Sequence, residues 1–144
     1  MARAIGINHV ALDVGDVGEA LDFYGRFLTF ELRGRSPTMA FMDLGDQFLA
    51  LSGGRRQGPD DGRHFGLVVD DKEAVRAALA AGGVDVARSG GLRFGDPWGN
   101  QVEIVGYRDV QFSKTPAVLR ALAPEGLDKS PAALKELDRK GLGG

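Results

Sequence analysis

The sequence contains no cysteine. Disulfide staples and thiolate chemistry are therefore excluded, and the absence suits a cytoplasmic protein. An excess of one charge is also missing. Eighteen Lys and Arg against 20 Asp and Glu leave a formal net charge of −2, which gives no electrostatic basis for nucleic acid or an anionic membrane as a partner. No apolar run approaches the length of a bilayer span. The start, Met1-Ala2-Arg3-Ala4-Ile5, leads directly into a strand pattern, so no signal peptide is expected. Tryptophan occurs once, tyrosine twice and histidine twice. Groups able to do acid–base or ligand chemistry near neutral pH are thus few, and their positions carry information.

Glycine, in contrast, is abundant at 22 of 144 residues, and it punctuates short alternating segments instead of forming a low-complexity tract. Both histidines open nearly the same string. Asn8-His9-Val10-Ala11-Leu12-Asp13-Val14 is echoed by Arg63-His64-Phe65-Gly66-Leu67-Val68-Val69, each followed by an acidic helix cap. Self-similarity at this spacing indicates a duplicated supersecondary unit. The first module, about residues 5–52, reads as a strand over 7–14, a helix from Asp16 to about residue 28, and strands near 30–35, 38–44 and 47–52. The helix stripe is expected from Ala20, Leu21, Tyr24, Phe27 and Leu28. Residues 53–62 lack periodicity and read as a mobile linker. The second module, about residues 63–107, repeats the order, with a strand over 64–69, a helix from about Asp71 to Gly82-Gly83, and strands near 84–88, 91–94 and 100–105. Leu44-Gly45-Asp46-Gln47 is answered by Trp98-Gly99-Asn100-Gln101. The expected fold is α+β: two βαβββ modules forming curved mixed sheets in one domain. A helical tail over 113–142 follows, with hydroxyl caps at Thr115-Pro116 and Ser130-Pro131 and apolar stripes of Val118, Leu119 and Leu122, then Leu134 and Leu137.

Equivalent positions in a repeat allow two histidines to face one cavity. Strand alternation puts His9 beside Ala11 and His64 beside Gly66, where small neighbours leave space. Glu103 is a carboxylate at mid-strand among apolar residues, a place that demands a cation or a hydrogen-bonded partner. Two histidines and one carboxylate form the facial triad that holds divalent ions with positions left open. By pattern alone, structural histidines and a solvent-facing Glu103 stand beside that reading. Arg93, alternating with Leu92 and Phe94, is placed to hold a substrate carboxylate or phosphonate. Arg55, Arg56 and Arg63 could close over an anion, Trp98 is read as turn packing, and Tyr107 is the remaining hydroxyl that could serve as a proton donor.

Three segments resemble the vicinal oxygen chelate superfamily of glyoxalases, bleomycin-resistance proteins and extradiol dioxygenases. They are Asn8-His9-Val10-Ala11 on the first strand, Ala20-Leu21-Asp22-Phe23-Tyr24 on the first helix, and Asp96-Pro97-Trp98-Gly99-Asn100 before the last strand. The resemblance implies that His9, His64 and Glu103 are metal ligands, with Fe2+ or Mn2+ favoured and Zn2+, Ni2+ or Co2+ also accommodated. It also implies a homodimer and a small oxygen-rich substrate chelated through neighbouring oxygens in a dioxygenase-like or lyase- or transferase-like reaction. The alternative is a metal-free protein that sequesters a small molecule or antibiotic. Glyoxalase I enzymes carry a fourth ligand, a carboxylate, where this chain has Leu49, or Ala50 in the neighbouring register, which argues against that activity. Fosfomycin-modifying relatives have a threonine where this chain has Ala11. The additional histidine and tyrosine of extradiol dioxygenases have no clear counterpart.

Overall fold

Asp16 and Asp71 open equivalent helices. Each carboxylate accepts a backbone N–H from three residues on, Glu19 and Ala74, both at 2.9 Å, which satisfies donors that a helix start leaves without an internal partner. The computed structural model describes residues 7–45, 47–87, 91–110, 112–122 and 127–143. Its first two helices are α1 (Val17–Gly25) and α2 (Lys72–Ala81). Each follows a strand that begins on a histidine, β1 (His9–Val14) and β5 (His64–Val69). The first module continues with β2 (Leu32–Arg35), β3 (Met39–Asp43) and β4 (Phe48–Gly53), and the second with β6 (Leu92–Gly95) and β7 (Gln101–Gly106).

The sheets run β1-β4-β3-β2 and β5-β7-β6. In each module the first strand pairs parallel with the last, and the remaining pairs are antiparallel. The α+β architecture expected from the repeat is present. One expected strand is reduced: around residues 84–88 there is only an isolated bridge between Val86 and Phe94, and residue 88 lies outside the described residues. The end of α2 explains the reduction. Gly83, at φ +66°, donates to Ala80 O and Val84 donates to Leu79 O at 3.0 Å, a Schellman closure that takes up the backbone N–H with which a strand at Val84 would pair. The first helix also stops earlier than expected. Phe27 and Leu28 both donate to Tyr24 O in a tightened last turn, yet their side chains still pack on the core. The equivalent turns carry Gly45 at φ +87° and Gly99 at φ +84°; Asp46, expected in the first, lies outside the described residues.

One core joins the modules. Phe27 of the first module meets Phe94 of β6 edge to face at 5.2 Å, a favourable aromatic geometry. Fully buried Tyr24 donates its hydroxyl to Asp96 Oδ2 at 3.0 Å. Asp96 also accepts from the backbone N–H of Trp98 and Asn100 and from Asn100 Nδ2, so a buried carboxylate has a donor on every side. The stretch expected as a mobile linker carries Arg55, whose side chain is 3% exposed. Its guanidinium donates to Asp13 O in β1, Asn100 Oδ1, and the carbonyls of Gln57 and Gly58.

After a 3₁₀ turn (Tyr107–Asp109), the tail forms α3 (Pro116–Leu122) and α4 (Pro131–Arg139). Ser130 caps α4 by accepting from Ala133 N–H. Its buried row is Ala133 and Leu137, four residues apart, whereas Leu134 is 49% exposed. Ser130 N–H donates to Arg108 O at 2.8 Å, and Lys129 Nζ donates to Tyr107 O and Phe112 O, so the start of the helix is tied to the 3₁₀ turn and the segment after it. Among the described residues, no helix is long and apolar enough to cross a membrane.

Candidate metal centre

Strand alternation divides the side chains of the histidine strands between a buried and an exposed face. Leu12 and Val14 of β1 and Leu67 of β5 are buried, whereas His9, Ala11, Asp13, His64, Gly66 and Val68 are exposed. On β7, Val102 and Ile104 are buried, and Glu103 lies on the opposite face, beside Gly66 in the parallel register. His64 and Glu103 therefore stand on one surface, with His64 Nε2 3.5 Å from Glu103 Oε2. His64 Nδ1 lies 3.4 Å from Gly62 O. With the proton on Nδ1 and directed at that carbonyl, Nε2 keeps its lone pair on the Glu103 side.

The partner that a mid-strand carboxylate requires is Arg93. It is the cross-strand neighbour of Glu103 on β6, and its Nε and Nη2 both donate to Oε2, at 3.1 and 2.9 Å. The pair is half-exposed, with side chains 40% and 23% accessible for Arg93 and Glu103. The other oxygen, Oε1, lies against Gly91, where an added Cβ would come within 2.8 Å of it. A cavity of about 260 Å³ adjoins the pair, lined by residues including Asp60, Arg63, His64, Arg93 and Gln101. Arg63 is paired with Asp60 at 2.7 Å.

His9 is held in the same manner from the other sheet. Its Nδ1 lies 2.9 Å from Asn8 Oδ1, and its ring stacks on Phe48 with centroids 4.6 Å apart and planes 9° from parallel. Arg33 sits 4.9 Å over the same Phe48 ring, and Phe41 meets it edge to face. Arg33, Phe41 and Phe48 line a second cavity of about 240 Å³.

The structure brings together two of the three expected ligands, not all three. Among the described residues, no group of three or more His, Cys, Asp or Glu converges to hold a metal. His9 belongs to one sheet, and His64 with Glu103 to the other. The histidine strands β1 and β5 are each the outermost strand of their sheet on that side. The repeat also decides between Leu49 and Ala50 as the first-module counterpart of Glu103. Ala50 pairs with Ala11 as Glu103 pairs with Gly66, so the corresponding residue is Ala50, 3% exposed, whereas Leu49 points into the core at 1%.

Of the other expected contributors, Arg55 is taken up by the module contacts above, and Arg56 is exposed. Trp98 packs against Gly15, whose Cβ position its indole occupies. Tyr107 is buried and its contacts are those of the tail: Lys114 N–H donates to its hydroxyl at 3.3 Å, and Lys129 Nζ lies 3.5 Å from its ring centroid. Phe48 and Arg33 do not stand out in the sequence. The pairing of Arg93 with Glu103 was countable there, because the two lie equally far either side of the Trp98 turn in an antiparallel hairpin.

Residues 6–104 match the family model described as Glyoxalase/Bleomycin resistance protein/Dioxygenase superfamily. Similar solved structures include a lactoylglutathione lyase from Agrobacterium tumefaciens, at 22% identity and a TM-score of 0.59, covering 73% of this chain and 96% of that one. A glyoxalase/bleomycin resistance protein/dioxygenase from Alicyclobacillus acidocaldarius is 24% identical with a TM-score of 0.55, over 76% and 96%. A fosfomycin resistance protein from Listeria monocytogenes is 16% identical with a TM-score of 0.59, over 72% and 94%. No curated protein sequence gives a match. The family match spans well over half of the chain and takes in both histidine strands, both helices that follow them and Glu103 itself; the chain belongs to the glyoxalase/bleomycin resistance protein/dioxygenase superfamily.

Proposed function

We propose that this chain is a divalent-metal-dependent enzyme whose site is completed between two copies. The observation that carries the reading is that each sheet ends on a strand beginning with an exposed histidine, and that one of these histidines already stands 3.5 Å from Glu103. Outer strands present unpaired backbone donors and acceptors and invite pairing with another chain. Edge-to-edge pairing of β1 with β5 of a second copy would bring His9 toward the His64–Glu103 pair of that copy and join the two exposed faces into one concave surface.

The donor set fits a divalent ion of the first transition row. Two imidazoles offered through Nε2, each with Nδ1 near a carbonyl oxygen, and one carboxylate make a facial triad that favours Fe2+ or Mn2+ and accommodates Zn2+, Ni2+ or Co2+. When bound, the metal supplies Lewis acidity toward neighbouring oxygens of a small substrate. The protein supplies the rest. Phe48 and Phe41 give an apolar wall, and Arg33 and Arg93 give guanidinium forks for an anionic group. With both histidines as ligands, no third is left as a general acid or base, which favours dioxygenation or addition chemistry over reactions that depend on histidine proton transfer. Ala50 in place of a fourth carboxylate argues against glyoxalase I activity. Anaerobic titration of the metal-stripped protein with Fe2+ and Mn2+, beside Glu103→Gln, tests the reading. One tight site per chain, lost in the variant, is expected; no binding to the unaltered protein would overturn it.

A second reading is metal-free binding of a bulky ligand. It is favoured by the Arg93 fork, which neutralises Glu103 without a metal, and by the aromatic wall beside His9. His64→Ala separates the two: a sequestering protein keeps its ligand affinity, and a metal enzyme loses its metal.

A further inference from the structure

Glu103 Oε2 is approached from two directions. Arg93 donates two N–H groups to it, and His64 Nε2 faces it at 3.5 Å. Oε1 is turned to the backbone at Gly91. A cation held jointly by Glu103 and His64 must use the oxygen nearest Nε2, and that oxygen is the one Arg93 holds. Two positive groups on one carboxylate oxygen repel each other, and partial burial makes the repulsion stronger than in water. Among the described residues, Glu103 is the only acceptor recorded for the Arg93 guanidinium. The other arginine lining the same cavity, Arg63, already has Asp60.

We infer that Arg93 is a displaceable counter-ion of Glu103: metal binding releases it, and the released guanidinium becomes the anchor for an anionic oxygen group of the substrate. This rests on the metal-enzyme reading above and adds a coupling to it. Without metal, Arg93 keeps Glu103 neutralised and on its strand face. With metal, the carboxylate is taken, and a guanidinium beside the cavity has its donors open to a carboxylate or phosphonate. The metal and the anion then bind cooperatively, because each stabilises the arrangement in which Arg93 has left Glu103, and the coupling is reciprocal. The exchange trades hydrogen bonds and ion contacts and changes no covalent bond of the protein or the anion.

The test is Mn2+ binding to the metal-stripped protein and to Arg93→Gln, followed calorimetrically and by the electron spin resonance of free Mn2+, with and without methylphosphonate. Removing a half-exposed competitor should tighten Mn2+ binding by about three- to tenfold. Methylphosphonate should tighten it further in the unaltered protein, and much less in Arg93→Gln. Equal or weaker Mn2+ affinity in the variant would overturn the exchange, and equal enhancement by methylphosphonate in both proteins would overturn the anchoring role. Failure of both proteins to bind Mn2+ would remove the metal-enzyme reading itself, a result distinct from the other two. Thermal unfolding of the variant checks that its fold is kept.

Discussion

The Tyr24 hydroxyl donates to the carboxylate of Asp96 across 72 residues of chain, at 3.0 Å and in the interior. One end of this bond belongs to the helix of the first module and the other to the turn that presents β7. Tyr24→Phe leaves Asp96 with three donors in place of four and should cost about 1–2 kcal/mol of stability. Urea unfolding at neutral pH measures it.

The same pair has a pH signature. Burial, then the charge and hydrogen bond of Asp96, push the Tyr24 pKa far above the usual tyrosine value. Below about pH 10, both folded and unfolded states keep the proton; above it, the unfolded chain loses its proton first. The stabilising share of Tyr24 is therefore full below that pH and declines as pH rises. Between about pH 10 and 12 the advantage of the unaltered protein over Tyr24→Phe should shrink, as unfolding titrations of the two proteins would show.

Arg55 is a buried cation with donors to both modules. Arg55→Met should cost about 3 kcal/mol or more, because the Asn100 side chain and three carbonyls lose a charged donor together. Arg55→Lys should recover little, since one ammonium cannot span the separated acceptors that a planar fork reaches. Chemical denaturation of the two variants checks the order.

Gly99 and Gly66 should respond oppositely to an added methyl group. At Gly99 the backbone has φ +84°, and a Cβ would come within 2.5 Å of Pro59, so Gly99→Ala should destabilise by about 2 kcal/mol or more. At Gly66 the nearest side-chain atom to an added Cβ is 3.8 Å away, so Gly66→Ala should stay within about 0.5 kcal/mol. Melting temperatures of the two variants suffice.

Subunit mixing tests where the metal site forms. His9→Ala and His64→Ala should each bind no metal alone. If the site is shared, a mixed dimer regains one complete site of its two, and random reassortment makes about half of all dimers mixed, giving about one site per four chains. Recovery of none would place all three ligands in one chain or remove one of them from the site.

Most of the fold was legible because the repeat supplied two readings of each element. The histidine strands, the Asp16 and Asp71 caps and the positive-φ glycines of both turns follow from local chemistry that the sequence states twice. The reduction of the second strand of the second module did not follow, because the Schellman closure at Gly83 competes for the N–H of Val84, and a hydrophobic pattern does not show which bond a backbone group makes. The misplaced stripe of α4 has a related cause: Ala133 and Leu134 are both apolar, and the contacts that tie the start of the helix to the preceding turn, from Ser130 N–H to Arg108 O and from Lys129 Nζ to Tyr107 O and Phe112 O, are not visible in a pattern. At the candidate site, facing direction was readable from alternation. That Arg93 faces Glu103 could be counted from the Trp98 turn; that both guanidinium bonds fall on Oε2, the oxygen nearest His64, depended on side-chain geometry that a pattern does not carry.

The open edges of β1 and β5 have a consequence for fidelity of assembly. Side chains alternate with a period of two, so a slip of one residue between paired edges would match the exposed face of one sheet to the wrong face of the other. At a β1–β5 junction such a slip would take His9 of one copy away from the His64–Glu103 pair of the other, which its own sheet holds in place. Metal affinity would then report on strand alignment, and a dimer formed out of step would announce itself by failing to hold an ion.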